Sequence, residues 1–316
     1  MMSRQCAARL SGTQDAQCRH MSQPRQIIPG QYYMLTRRCT QRQFLLRPDA
    51  TTSNIFTYCL AVAAQRYEID VLLAVAESNH HHTVIFDRHG RCPRFIEHFH
   101  KLFARCQNAR FGRWENLWSS DEPSVTRLLS RDTVIAKLVY AASNPVKDLL
   151  VERATQWPGV NSYRELLSGK PMHAHRPRHF FRPDGAMPKA VTLRLAIPAD
   201  LGTPAEVRAE VRAGVAAVEH ERRAHRAATG ARIVGRRQLQ KESWRRSPSS
   251  REPRRGLRPR FAGPAAERIA ALVDYRHFLA AYRVARTEWL GGNRPAFPAG
   301  TYWLARCAPI VAPPPS

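Results

Sequence analysis

Three consecutive histidines at positions 80–82 are the residues of this sequence best suited to chemistry. They open the apolar run SNHHHTVIF, which predicts a β-strand. Side chains two residues apart share one face of a strand, so His80 and His82 project together and His81 points to the opposite face. Two adjacent imidazoles can hold one divalent metal ion. The alternative is a surface cluster of histidines that binds no ligand.

A second pair of polar side chains belongs to a helix predicted over Asp132–Ser143. The apolar face of this helix consists of Val134, Ile135, Leu138, Val139 and Ala142. At about 100° per residue, Tyr140 lies off that face, and Asn144 follows about one turn later on the same side. The helix therefore presents a hydroxyl and an amide where it does not pack. Alternatively, Tyr140 is half-buried at the helix margin and Asn144 ends the helix before Pro145.

The elements that must position these residues follow in the order β-α-β-β-α-β-α. Apolar periodicity predicts strands over Gln31–Arg37, Glu68–Glu77, His81–Phe86 and Ser124–Leu129, and helices over Thr51–Arg66, Pro93–Gln107 and Asp132–Ser143. This order is the split βαβ pattern. We therefore expect an α+β fold with a ferredoxin-like or RRM-like antiparallel sheet, in which Ser124–Leu129 is an edge strand. Helices would cover one face of the sheet and leave the other face free for a ligand.

The charge of the chain indicates a polyanionic partner. Its 316 residues carry 50 Lys and Arg against 25 Asp and Glu, a formal net charge of +25. Nucleic acid is the usual partner of such a chain, and an anionic membrane surface is a less common one. No apolar stretch is long enough to predict a membrane span. We expect a soluble protein that is cytoplasmic, associated with the nucleoid and without a membrane partner.

Seven scattered cysteines with no C-x-x-C pair are typical of reduced thiols and disfavour a zinc ribbon or a disulfide framework.

Composition divides the chain into four segments. Residues 1–23 lack apolar periodicity and are expected to be a disordered leader or, alternatively, to precede the true start of the protein at Met21. Residues 24–165 hold the α+β pattern. Residues 166–203, rich in His, Pro and Arg, are predicted to be a linker. Residues 204–316 are predicted to be a basic, mainly helical and partly disordered extension, with helices over Pro204–Ala227 and Pro264–Trp289 that pair as a hairpin.

A basic run lies inside this extension. From Arg222 to Arg260 the chain has fourteen Lys or Arg against two acidic residues. That density favours contact with a nucleic-acid backbone, and an aromatic ring among arginines can stack on a base. The candidate DNA-binding residues here are Arg236, Arg237, Trp244, Arg245, Arg246, Arg254 and Arg255. The alternative is a solvated basic linker between two helices.

Taken together, these patterns resemble the motifs of the single-tyrosine HUH transposases. SNHHHTVIF resembles their N-H-x-H-hydrophobic strand, and YAASNPVKDLLV resembles their Tyr-x-x-x-Asn-Pro-Val-(Lys/Arg)-x-x-Leu-Val helix end. The opening strand of the family, with its Arg-x-x-x-Arg turn, is similar to IIPGQYYMLTRRCTQRQFLL. The end of the family's motif region, a Trp followed by Ser-Tyr, is similar to WPGVNSY. The resemblance is to REP-associated tyrosine transposases and their insertion-sequence relatives, and it covers about residues 24–163 in the same order.

The resemblance implies that residues 24–165 form an HUH nuclease domain that cleaves and rejoins single-stranded DNA. It implies that His80 and His82 ligate Mg²⁺ or Mn²⁺ and that Asn144 matches the third-ligand position. Tyr140 matches the nucleophile, which would form a 5′-phosphotyrosine intermediate.

The same resemblance implies that the DNA partners are hairpins or palindromic element ends. Arg38 and Arg42 of the opening turn and Lys147 of the helix end are the candidate DNA contacts. Relatives act as monomers or as a homodimer, and the sequence does not decide between these states.

Two departures from the family pattern keep other functions open. His81 stands where relatives have a hydrophobic residue, and a neutral histidine on a helix-covered face requires a hydrogen-bond partner. Residues 119–123, SSDEP, stand where relatives often have a basic strand, and their carboxylates would repel DNA. One alternative is therefore a domesticated or decayed relative that binds DNA without cleaving it. Another is an RRM-like RNA-binding module, which the scarcity of aromatic residues on the His strand disfavours.

Overall fold

A five-stranded sheet places the histidine strand between two neighbours that are apolar on both faces. Its strands are β1 Gln31–Arg38, β2 Ile69–Ala76, β3 His80–Asp87, β4 Ser124–Leu128 and β7 Phe261–Ala262. They lie in the order β2-β3-β1-β4-β7. The first four pair in antiparallel fashion, and the β1–β3 register sets Arg38 opposite His80 and Thr36 opposite His82.

The computed structural model describes residues 24–250 and 259–313, which have an α+β fold. The leader predicted over residues 1–23 lies outside the described residues, as does part of the extension, residues 251–258. The described residues divide into two units, one within residues 29–272 and one formed by residues 24–28 and 273–313. The predicted strand and helix order from β1 onward is confirmed.

The sheet is mixed, so the prediction of an antiparallel sheet throughout is wrong in one place. Strand β7 runs parallel to β4. Arg127 N–H donates to Arg260 O at 2.8 Å and Leu129 N–H donates to Ala262 O at 2.9 Å. A short segment from the extension therefore covers the outer backbone of β4, and β4 is not the edge strand that the sequence predicts.

Helices α1 Ala50–Tyr67 and α2 Cys92–Phe111 cover one face of the sheet. Their aromatic residues form a core with the inward side chains of β1 and β3, including Phe56, Phe99, Phe103, Leu35 and Ile85. Asp49 caps α1 by accepting from Thr52 N–H at 2.8 Å. Gly112 ends α2 in the left-handed region at φ 61°.

Helices α3 Arg131–Ala142 and α6 Pro204–Thr229 cover the opposite face. This second core contains Met34, Leu73 and Val84 of the sheet, Leu138 of α3, and Val207 and Val211 of α6. The prediction that helices cover one face and leave the other free is therefore wrong. The physical reason is that β2 is apolar on both faces, so each face needs a cover. The valine stripe of α6 faces this core rather than a hairpin partner.

The remaining elements of the larger unit are short. They are α4 Asn144–Lys147, α5 Tyr163–Ser168, β5 Met172–His175, β6 Ala190–Leu193 and α7 Arg236–Lys241. Strands β5 and β6 pair as a separate two-stranded sheet within the predicted linker. Their Ala174, Val191 and Leu193 join the core around α1, and Tyr58 Oη donates to Pro188 O at 2.7 Å. Residues 166–203 therefore pack against the core.

The smaller unit consists, in its described part, of residues 24–28 and 273–313. Helix α8 Ala265–Leu290 enters it, and α9 Trp303–Cys307 lies near its end. Ile27 N–H donates to Gly300 O at 3.0 Å, and Tyr275 Oη donates to Pro24 O at 2.7 Å. Within the described residues of the whole chain, no helix has the length and apolarity needed to span a membrane.

Candidate active site

The two outer histidines of the triplet lie side by side at the start of β3. The ring centroids of His80 and His82 are 4.8 Å apart. His80 Nδ1 lies 2.8 Å from Asn79 Oδ1. An amide oxygen only accepts, so Nδ1 carries the proton and Nε2 keeps a lone pair. That Nε2 lies 3.3 Å from Asn144 Nδ2, which can donate to it. His82 Nδ1 lies 2.8 Å from Thr36 Oγ1 on the neighbouring strand.

Burial keeps both histidines neutral at physiological pH. Burial, with a smaller effect of the Arg38 charge, lowers the pKa of His80 to about 4. Burial and the neighbouring histidines hold the pKa of His82 well below its usual value. A neutral imidazole offers a lone pair without first losing a proton, which a metal ligand requires.

Tyr140 reaches the same place from the opposite side, on α3. Its ring centroid is 5.5 Å from that of His82, and the residue is 37% exposed. Burial, followed by the charges of Asp148 and Glu77, raises the pKa of its phenol. The Nζ atoms of Lys147 and Lys137 lie 4.4 and 5.2 Å from the ring centroid.

A break after α3 brings Asn144 and Lys147 to the histidines. Helix α3 begins at the Ser130 N-cap and ends at Ala142. The short helix α4, with a proline in its first turn, then changes the chain direction. The structure thus brings together Tyr140, His80, His82, Asn144 and Lys147. These residues lie up to about seventy positions apart in the sequence, and their chemical roles remain predictions.

Glu77, which the sequence analysis did not single out, adjoins this group. It directly follows β2 and is 3% exposed. Its Oε2 is 3.8 Å from His80 Nε2, and its buried Oε1 has no hydrogen-bond partner. Burial and the neighbouring Asp148 raise its pKa, whereas the Asn144 amide lowers it. The sequence feature that could have pointed to Glu77 is its position directly after the apolar run IDVLLAVA.

The donor chemistry around His80 fits a hard divalent ion. In the part of the chain that the structure describes, no three His, Cys, Asp or Glu side chains form a ready metal cluster. The donors that do meet include an amide beside two imidazoles and an orphaned carboxylate oxygen. Mixed nitrogen and oxygen ligands suit Mn²⁺ or Mg²⁺ better than structural zinc.

The two arginines of the opening turn have different surroundings. Arg38 is exposed at the end of β1, close enough to His80 to lower its pKa. Arg42 instead binds the protein itself, because its Nη1 donates to Ser250 O at 2.6 Å. Ser119 N–H donates to Arg38 O at 2.9 Å, so the acidic segment 119–123 begins beside Arg38.

Trp244 packs against the protein rather than standing free. Its ring stacks on Phe111 with centroids 4.9 Å apart and planes 17° apart. The guanidinium groups of Arg245 and Arg113 lie 5.0 and 5.4 Å from its centroid. At least part of the ring surface predicted to stack on a base is therefore used internally.

The other predicted basic contacts lie at or near the surface. Arg236 and Arg237 are exposed at the start of α7. Arg246 is exposed and pairs with Glu242, Nη1 to Oε2, at 2.8 Å. Arg254 and Arg255 lie outside the described residues.

A second tryptophan is almost fully exposed. Trp114 is 98% exposed and lies in the loop after α2. The loop is fixed to the end of β1, where Thr40 N–H donates to Leu117 O at 2.9 Å. Trp114 is therefore the more accessible ring for a base. Its polar surroundings, GRWEN, were the available signal.

His81 has the partners that the sequence analysis required of it. It is fully buried on the α1 and α2 face. Its Nε2 is 2.9 Å from His100 Nε2, and its Nδ1 is 3.1 Å from Thr83 Oγ1. The prediction that a neutral His81 is hydrogen-bonded is confirmed.

The similarity of this chain to known proteins is one of structure. No protein-family model matches the chain, and no curated protein matches it. The solved structure of a REP-associated tyrosine transposase bound to a REP hairpin has 16% sequence identity and a TM-score of 0.39 to this chain. The match covers 52% of this chain and 92% of the other.

Proposed function

We propose that this protein is a transposase that cleaves and rejoins single-stranded DNA, with Tyr140 as the nucleophile. One observation carries the proposal: Tyr140 lies against His82 with ring centroids 5.5 Å apart, while Asn144 contacts His80. A tyrosine and a set of metal-binding side chains from separate elements thus share one site. The motif resemblance and the β-α-β-β-α-β-α order support an HUH nuclease domain over residues 24–165.

The chemistry is a phosphoryl transfer to tyrosine. Tyr140 Oη attacks the scissile phosphorus and forms a 5′-phosphotyrosine bond, while the P–O3′ bond breaks and the 3′ oxygen takes up a proton. The phenol loses its own proton to solvent. Because the bond to tyrosine conserves the phosphodiester, a 3′-OH can attack it in reverse and rejoin DNA without ATP. His80, His82 and Asn144 would hold Mg²⁺ or Mn²⁺, which supplies a Lewis acid for a phosphate oxygen.

The surrounding charges suit an anionic substrate. Lys147 and Lys137 flank the Tyr140 ring, where their ammonium groups can neutralise the phosphate being attacked. Arg38 is exposed beside His80 and can contact the strand entering the site. The formal net charge of +25 adds long-range attraction for a hairpin or palindromic DNA end.

A second function, DNA binding without cleavage, is favoured by one feature. Asp121 and Glu122 are exposed on a segment that begins beside Arg38. Carboxylates there weaken the grip on a phosphate backbone. A domesticated or decayed relative would keep hairpin binding and lose the covalent step.

A cleavage assay at moderate salt separates these functions. Full-length protein is mixed with Mn²⁺ or Mg²⁺ and labelled single-stranded hairpin DNA from the flanks of its own gene. We expect a DNA-linked protein band that requires metal and disappears in Tyr140→Phe and His80→Ala. Tyr67→Phe, at the end of α1 on the other face of the sheet, is the matched control and should retain the band. Hairpin binding without any adduct would instead support the non-cleaving function.

A further inference from the structure

We propose that Glu77 is an additional ligand of the metal site and supplies a carboxylate. This inference rests on the proposed function, because it assigns a residue to the same metal site.

The first support is the meeting of three side chains at one atom. His80 Nε2 lies 3.3 Å from Asn144 Nδ2 and 3.8 Å from Glu77 Oε2. The Asn144 amide and the Glu77 carboxyl therefore both approach the same imidazole nitrogen. His82 adds its ring 4.8 Å away, centroid to centroid. Binding of one ion by these groups requires the Asn144 amide to turn so that Oδ1, rather than Nδ2, faces His80.

The second support is the unsatisfied Oε1 atom of Glu77. The residue is 3% exposed, and its Oε1 is buried with no hydrogen-bond partner. Leaving a buried carboxyl oxygen unpaired is costly. Glu77 also contacts the Asn144 amide and the Asp148 carboxyl, and its Oε2 lies 3.8 Å from Nε2 of the His80 ring. That ring accepts from Asn144 at Nε2 and donates to Asn79 at Nδ1, so it carries no positive charge. A cation bound between Glu77 and His80 would satisfy the carboxylate.

The third support is charge balance at the site. His80, His82 and Asn144 are all neutral ligands, so they leave the full charge of a divalent ion uncompensated. Mg²⁺ and Mn²⁺ favour carboxylate oxygen as a ligand. Glu77 is the buried carboxylate that contacts the candidate ligands directly, and it offsets half of that charge.

Mn²⁺ binding to the full-length protein without DNA tests the assignment. Free Mn²⁺ is followed by electron paramagnetic resonance during a titration of wild type, Glu77→Gln and Glu68→Gln. Glu68→Gln is the matched control, because Glu68 also faces a histidine, His89, at 3.4 Å but in an exposed pair. We expect Glu77→Gln to weaken Mn²⁺ binding at least tenfold and Glu68→Gln to leave it unchanged.

The apo proteins show whether Glu77 is merely structural. Glu77→Gln is nearly isosteric and removes a buried acidic group, so its melting temperature without metal should equal or exceed that of wild type. Mn²⁺ should raise the melting temperature of wild type and raise that of Glu77→Gln much less. Equal Mn²⁺ affinity in wild type and Glu77→Gln, or no Mn²⁺ binding by wild type, would overturn the assignment.

The DNA cleavage assay separates this inference from the proposed function. Weaker Mn²⁺ binding by Glu77→Gln, with no covalent adduct from wild type, would support Glu77 as a metal ligand and contradict the transposase function. A metal-dependent adduct from wild type, with unchanged Mn²⁺ binding by Glu77→Gln, would support the transposase function and contradict the role of Glu77 as a metal ligand.

Discussion

His81 and His100 form a buried pair directly behind the candidate ligands. Both are nearly inaccessible to solvent, and their Nε2 atoms are 2.9 Å apart, so one ring donates and the other accepts. Burial, with smaller effects of His80 and Arg37, lowers the pKa of His81 to about 3. Burial holds the pKa of His100 well below its usual value.

This pair predicts acid sensitivity of the fold. Below pH 6.5 these two histidines bind protons in the unfolded chain but stay unprotonated in the folded protein. The stability present above pH 6.5 is therefore lost as the pH falls towards 3. For His81 alone, the free energy of unfolding should fall by about 2 kcal/mol between pH 7 and pH 5. Urea unfolding of the metal-free protein at the two pH values measures this loss. His81→Leu combined with His100→Leu should show a smaller loss, and an equal loss in both proteins would contradict the prediction.

Local periodicity predicted the directions of the three histidines but not the position of Glu77. The alternation of a strand suffices to put His80 and His82 on one face and His81 on the other. Glu77 contacts the Asn144 amide, and these two residues are 67 positions apart in the sequence. No local pattern contains that contact.

At the scale of elements, the close approach of α6 to α3 sets the position of the Tyr140 helix. A Cβ added at Gly214 of α6 would lie 2.6 Å from Cγ2 of Val139, the residue before Tyr140. Valine is stiff at χ1, so it cannot turn away easily. Gly214 therefore permits a close contact between α6 and α3, and a larger residue at this position would separate the two helices.

Gly214→Ala should destabilise the protein by about 1–3 kcal/mol through overpacking, although alanine is the better helix former. It should also reduce adduct formation, because the displaced α3 carries Tyr140. Adding Val139→Ala removes the clashing methyl groups and should restore most of the stability. Denaturant unfolding of the single and double variants measures both effects. A stabilised single variant would show that the helices do not pack this closely.

The exposed loop after α2 leads to a prediction about DNA binding. A base stacked on an aromatic ring contributes about 1–3 kcal/mol to single-strand binding. Trp114→Ala should therefore weaken binding of a labelled oligonucleotide by that amount without lowering the melting temperature. Trp303→Ala, at a tryptophan 46% exposed in the smaller unit, is the matched control. Fluorescence anisotropy measures both affinities, and equal losses would argue against a specific role for Trp114.

The long elements were predictable and the short ones were not. Helix α2 and strand β3 follow from apolar patterns within their own segments, and their observed bounds differ from the predicted ones by a few residues. Strands β5, β6 and β7 have four, four and two residues. Such short strands form because of distant partners, and their own sequences carry little periodicity. The cover of the second sheet face was missed for the same reason, since α6 meets α3 only in the folded chain.

At the scale of the whole molecule, α6 is a structural part of the sheet domain although it follows the motif region. Val211 of α6 is fully buried in the core with α3, whereas Val284 of α8 is 61% exposed.

The same substitution at these two valines tests the architecture. Val211→Asp buries an unpaired carboxylate and should abolish cooperative unfolding or lower the melting temperature sharply. Val284→Asp should leave the melting temperature nearly unchanged. Differential scanning calorimetry of both proteins provides the measurement. Similar melting curves for the two variants would mean that α6 does not belong to the core of the sheet domain.

The pairing of β4 with β7 has a consequence for folding of the protein during its synthesis on the ribosome. Thr126 on β4 bonds to Pro259, next to β7, across 133 positions of the chain. At ~5–20 residues per second, synthesis of that stretch takes roughly 7–27 seconds. During this interval the outer backbone of β4 has no strand partner, and an open strand edge can pair with another chain. The nascent protein is therefore exposed to aggregation until its last sheet strand emerges, and slower translation of the arginine-rich segment would lengthen that exposure.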